Sequence, residues 1–230
     1  MKKLFSLIVI ALVAIGAAAQ RRVCIDSSWH FTLDDGSGAV ANPRAADGWR
    51  TLSLPHDWSV ETEAARRAGG NVVGPFSTKS VGGFQTGFTV GGTGWYQKTL
   101  TLTADDLKGR TELYFEGAYN RTTLWVNGQE CPDNVYGYSS FRRDISDMVK
   151  EGGNNIVVRV DNEGNNTRWY AGSGIYRHVW LVRTGRLHLD EWDSFVRSEE
   201  NRRIILTGIT IGIIGYAVGN YLGVLLAKML

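Results

Sequence analysis

Arg168, Trp169 and Tyr170 open the stretch RWYAGSGIYRHVW, and they are residue types that can grip a neutral, hydroxyl-rich ligand. Flat rings stack on the apolar face of a sugar, while a planar guanidinium offers its fork of donors to the hydroxyls. The same residues also suit a plainer arrangement, with the rings in a core and Arg168 covering a strand end; the stretch alone does not choose. A second candidate is the adjacent pair His56-Asp57 in LPHDW, left on a loop because Pro55 stops the strand before it. Neighbours on an extended chain point apart, and no serine or cysteine nucleophile motif accompanies the pair, so a hydrolytic triad is excluded. Polar contact with a ligand, or a purely structural loop, remains for it.

Other chemistries find less support. The four histidines (His30, His56, His178, His188) stand singly and show no metal-ligand spacing, so neither a metal nor another cofactor is expected. Residues 61–94 carry nine glycines after Ala68, but no Lys-Ser/Thr follows them and no strand–turn–helix setting surrounds them, which argues against a phosphate site. A net charge of +2 over 230 residues leaves no nucleic-acid footprint. Cys24 and Cys131 are the only thiols. They fit one bridge or two free cysteines equally, and they cannot form a disulfide framework.

The elements that must hold these residues read as strands. Trp29–Leu33 and Thr51–Leu54 are short candidates. Trp95–Leu102 alternates Tyr96, Lys98, Leu100 and Leu102 against Trp95, Gln97 and Thr99, the period of a half-buried strand. Glu112–Glu116 follows, and Thr122–Val126 runs into Asn127-Gly128, the strongest short hairpin signal, with its partner from Gln129. Asp144–Val149 has room for one helical turn. Asn155–Asp161 reads as an inner strand, and a last strand carries Ile175, Arg177, Val179 and Leu181 on one face. Eight or nine short strands with regular turn punctuation predict an all-β sandwich over residues 20–192.

The ends differ. Residues 1–19 have a basic start, an apolar run from Leu4 to Ile15 and small residues Ala17–Ala19, the pattern of a signal peptide. An exported chain, periplasmic or membrane-anchored, is the expectation. After a polar linker at 193–203, residues 204–227 read as a transmembrane helix: Ile204 to Leu226 is 23 residues without a charge. Gly208, Gly212, Gly215, Gly219 and Gly223 line one face at three- or four-residue spacing, which would let two such helices approach closely, although glycine is frequent in membrane spans anyway. Arg202 and Arg203 before the segment run against the positive-inside tendency for an exported body.

Five motifs in order, LPHDW (54–58), GTGWYQK (92–98), LYFEGAYNRTTLWVNG (113–128), YGYSSFRRDIS (136–146) and RWYAGSGIYRHVWL (168–181), resemble the N-terminal sugar-binding domain of glycoside hydrolase family 2, most of all that of bacterial β-galactosidases. The resemblance spans about residues 26–192. It implies a jelly-roll, galactose-binding-like β-sandwich and a β-galactoside-type carbohydrate partner. In that family two catalytic glutamates sit on a later barrel, about 5 Å apart in retaining enzymes. Glu61, Glu63, Glu112, Glu116 and Glu130 match none of those positions, so no catalytic residue is expected here. Carried over by motif position, Asp57 and Arg168 are the residues expected to hold sugar, with Trp169, Tyr170 and His56 beside them. Two departures stand out: Gln97 replaces the arginine usual in GWYRK, and Cys131-Pro132 interrupts the hairpin partner. The likeness ends after Trp192, and a product truncated or fused before the barrel is the expectation. It would be a binding domain without turnover, or alternatively a membrane-tethered carbohydrate-binding module or a non-functional fragment.

Overall fold

The computed structural model describes residues 21–33, 35–61, 80, 82–163, 172–185 and 188. The expected signal peptide, the linker, the helix at 204–227 with its glycines, and Arg168, Trp169 and Tyr170 all lie outside the described residues. Among those described, no helix is long and apolar enough to cross a membrane.

Ten strands are found among the described residues: β1 (Arg21–Cys24), β2 (Trp29–Thr32), β3 (Arg50–Leu52), β4 (Gly92–Leu102), β5 (Arg110–Phe115), β6 (Arg121–Val126), β7 (Gln129–Glu130), β8 (Phe141–Asp144), β9 (Gly152–Asn162) and β10 (Val179–Thr184). They make a four-stranded sheet in the order β1-β10-β5-β8 and a six-stranded sheet in the order β3-β2-β4-β9-β6-β7. Every pairing is antiparallel. The described residues form an all-β sandwich.

Period-two alternation explains the core. On β4, Tyr96, Leu100 and Leu102 face inward, joined from β9 by Ile156, Val158 and Val160; across from them the small sheet supplies Leu113, Phe115, Phe141, Val179 and Leu181. Phe115 and Phe141 stack with centroids 4.8 Å apart. Full burial of a side chain such as Leu113 or Ile156 contributes roughly 1.5–3 kcal/mol. Asn127 (φ 51°) and Gly128 (φ 83°) both take positive φ, the requirement of the tight hairpin turn expected from their dipeptide, and Trp125 then pairs with Glu130.

The outer face of the large sheet is covered as well. Trp95 and Trp125 stack at 5.7 Å, and Ala39, Val40, Ala45 and Trp49, from the segment around helix α1 (Gly38–Ala41), pack on them. Gln97 holds this cover in place. Its amide nitrogen donates to Asn155 Oδ1 at 2.7 Å and to the carbonyls of Ala39 and Asn42, while its oxygen accepts from Ala46 N at 3.1 Å. An arginine, which only donates, could not accept from Ala46; the departure from the family pattern thus has a local reason.

One expectation needs correction, and another shifts by a residue. The last strand begins at Val179, not at Ile175: the chain from Ile175 to His178 is bent by its bonds to neighbouring loops, although Ile175 itself is fully buried. The single turn expected over Asp144–Val149 is present but starts only after Asp144. Asp144 ends β8, and a single turn follows with Met148 N donating to Ile145 O. The segments β1 and α1 carry no periodicity strong enough to be read in advance. Cys24 and Cys131 are both free, the first exposed and the second buried against Met148 Sδ at 3.6 Å.

Candidate functional site

The loop after β3 and the turn before β10 are drawn together by one carboxylate. Asp57 Oδ1 accepts from Ser59 N at 2.9 Å and Ser59 Oγ at 2.6 Å, capping the short 3-10 turn Trp58–Val60. The same oxygen accepts from Ser173 N at 2.8 Å. Backbone bonds reinforce the junction, from His56 N to Ile175 O at 2.8 Å and from Trp58 N to Ser173 O at 3.0 Å. Two glycines make the approach possible. A Cβ on Gly172 would stand 2.3 Å from Asp57 Oδ2, and one on Gly174 would meet Tyr96 Oη at 2.5 Å and His56 O at 2.6 Å. Gly174 also has φ +127°, which other residues rarely adopt.

His56 lies beneath this junction, buried, with Phe31 at 4.5 Å edge-on. Tyr96 Oη is 2.8 Å from its Nδ1, and Glu61 Oε1 is 2.9 Å from its Nε2. Arg50 closes the set by donating to both carboxylate oxygens of Glu61, at 2.7 and 3.0 Å. Arg50 Nη2 also lies 3.1 Å from His56 Nε2, and Ile175 N–H donates to Tyr96 Oη at 3.4 Å, so imidazole, phenol, carboxylate and guanidinium form one connected set. Burial pushes the Glu61 carboxyl up, but the hydrogen bonds and charges of His56 and Arg50 outweigh it and hold the group below its ordinary value. Burial drives the Tyr96 hydroxyl well above the usual phenol range, so it stays a donor. The imidazole is a structural hub whose ring nitrogens are both engaged inside the protein.

Around the junction lie groups with room for a ligand. On one side Tyr119, bridged to Gly174, sits 5.1 Å from Tyr138, which in turn lies 5.9 Å from Tyr136. Tyr136 and Tyr138 are 60% and 64% exposed, and Tyr176 Oη donates to Gly137 O to tie their loop to the same turn. Burial, with the hydrogen bond to Tyr138, pushes the Tyr119 hydroxyl up to about 12. At this end of the large sheet Asn162, opposite Gly92 in the register, donates to Ser173 Oγ at 2.7 Å. One residue away on the outer face, Thr93, Trp95, Arg159, Asp161 and Arg121 line a cleft of about 580 Å³. None of these tyrosines or cleft residues was singled out from sequence, although YGY in the fourth motif was a signal that two aromatics share one loop.

The described glutamates named from the sequence are each held by partners within the domain. Glu61 is held as above, Glu112 is buried against Arg110 at 3.0 Å, Glu116 accepts from Trp180 Nε1 at 2.8 Å, and Glu130 accepts from Trp125 Nε1 at 3.0 Å. Glu63, like Arg168, Trp169 and Tyr170, lies outside the described residues.

Residues 23–185 match the family described as glycosyl hydrolases family 2, sugar binding domain. The chain belongs to this family. A β-galactosidase of Bacteroides ovatus is 37% identical to the family 2 domain over 179 residues, 77% of this chain and 20% of the relative. A β-glucuronidase of Formosa agariphila is 30% identical over 112 residues, 43% of this chain and 11% of the relative. The crystal structure of a family 2 member from Bacteroides cellulosilyticus superposes with a TM-score of 0.69 at 39% identity, covering 77% of this chain and 22% of that one. The sugar-binding domain therefore spans about a fifth of the length of the β-galactosidase and of the solved structure. The junction of Asp57 with Ser173 joins two motifs that carry the family likeness, LPHDW and the SGIYR turn.

Proposed function

We propose that this chain provides the jelly-roll sugar-binding domain of a β-galactosidase-like hydrolase of O-glycosidic bonds, holding the sugar while the cleaving carboxylates belong to another domain. The observation that carries the reading is the junction itself. Asp57, Ser173 and Gly174 lock the SGIYR turn to the sandwich a few residues after Arg168 in the sequence. A guanidinium and two rings only a few residues earlier in the sequence than that anchor suit the hydroxyls and apolar face of a galactoside. Tyr136 and Tyr138 add exposed rings on the flank.

Calorimetry on the full chain tests it. Lactose or galactose should bind at millimolar strength, Arg168→Ala should abolish the heat, and a chromogenic galactoside should not be turned over. Turnover by this chain alone would overturn the non-catalytic reading. Preference for a glucuronide would move the substrate class away from galactosides.

Export through residues 1–19 and anchoring through 204–227 extend the proposal, supported by the basic-apolar-small pattern of the first and the 23 uncharged residues of the second. Self-association would then run along Gly208, Gly212, Gly215, Gly219 and Gly223. Cell fractionation checks the anchor: full-length chain in the soluble fraction would refute it.

A further inference from the structure

Alternation along β1 and β10 places three metal-binding residue types on the outer face of the small sheet. Val23 and Ile25 turn toward the core, so Cys24 and Asp26 turn away from it; Val179 and Leu181 turn inward, so His178 and Trp180 turn out. The antiparallel register sets Cys24 opposite Trp180, and Ile25 N donates to Val179 O, which brings Asp26 beside His178. One ligand atom from each of Cys24, Asp26 and His178 lies within 4.8 Å of the others.

The cluster is already partly oriented. Asp26 Oδ1 accepts from Val179 N at 2.8 Å, which fixes the carboxylate. Its Oδ2 lies 2.6 Å from His178 Nδ1, and the Cys24 sulfur is within 4.8 Å of the cluster's other ligand atoms. Cys24 and His178 are exposed, so both side chains can move to the separations of roughly 3.3–3.8 Å that a tetrahedral site with 2.0–2.3 Å bonds requires. Nearby, Glu116 lies 3.6 Å from Arg22 and offsets part of its charge.

We propose that Cys24, Asp26 and His178 form a surface site for a thiophilic divalent cation of the zinc class, with water completing the coordination. One sulfur, one imidazole and one carboxylate select such a metal over calcium or magnesium, which prefer all-oxygen ligands. The site would clamp the edge strand β1 to β10. It is independent of sugar binding, and none of its residues takes part in the Asp57 junction.

The test uses the full chain with a non-chelating phosphine reductant, titrated with cobalt(II) and then competed with zinc. One equivalent of cobalt should give a near-ultraviolet thiolate-to-metal charge-transfer band that zinc removes, and zinc should raise the melting temperature. Cys24→Ser should abolish the band, His178→Ala should weaken binding by more than about 10-fold, and Cys131→Ala should leave both unchanged. Asp26 also supports the Val179 amide, so Cys24 and His178 are the positions that decide. A missing band, a band that survives Cys24→Ser, or unchanged affinity in His178→Ala would overturn the proposal.

Discussion

Asp57 Oδ1 receives the amide hydrogen of Ser173 at 2.8 Å across 116 residues of chain. The same oxygen caps the turn that follows Asp57, so one atom fixes two loops at once. Asp57→Ala strips the acceptor from three donors and should lower stability by about 2–3 kcal/mol, whereas Asp57→Asn, which keeps one oxygen, should lose less. Urea denaturation measures both, and equal losses in the two variants would contradict this assignment.

Gly174 is irreplaceable for reasons of space and backbone. Gly174→Ala would press its methyl against Tyr96 Oη and His56 O while φ stays at +127°. A loss of at least about 2 kcal/mol is expected, visible as a lower melting temperature. Alanine at Gly38, where nothing lies within 4 Å of the added carbon, is the matched control and should be nearly silent.

Glu61 should make folding sensitive to acid. Its carboxyl is held below the ordinary value of 4.5 in the folded chain, where burial is outweighed by His56 and Arg50. The stability this gives is complete above the unfolded value and disappears as pH falls through the lower, folded one. Glu61→Gln should therefore be the weaker protein at neutral pH and approach the parent chain as pH falls from 4.5 through the lower folded value. Parallel stability curves across that range would show that Glu61 is not linked to folding.

Gln97→Arg restores the residue common in the family motif but removes the acceptor for Ala46 N. The segment over Trp95 and Trp125 should loosen, at a cost of about 1–3 kcal/mol. Faster amide exchange at Ala46, with the sandwich core still protected, is the expected signature.

Tyr138, at 64% exposure, is the more open of the two tyrosines on its loop. Tyr138→Ala should weaken lactose binding by about 2- to 10-fold, in keeping with roughly 0.5–1.5 kcal/mol for an aromatic contact, without changing the melting curve. Unaltered affinity would remove this loop from the binding surface.

How much of this was legible beforehand depends on how far each feature reaches along the chain. The hairpin at Asn127-Gly128 and the alternation of β4 and β9 are set by neighbours within a few residues, and the sandwich follows from them. Ile175 misled because an apolar residue next to a strand has the same periodicity inside it or just outside; bonds from His56 and Tyr119 end the ladder there. The brief strand β1 draws its stability from pairing with β10 rather than from its own residues.

The amino-acid order alone determined the all-β class, the tight hairpin and the five motifs of the family, since each rests on local geometry or on unbroken runs of residues. Tertiary structure decided the rest. His56 meets Tyr96 across 40 residues, and Asp26 meets His178 across 152. Singly placed histidines showed no metal-ligand spacing in the sequence because spacing along a chain carries no record of which strands will lie side by side.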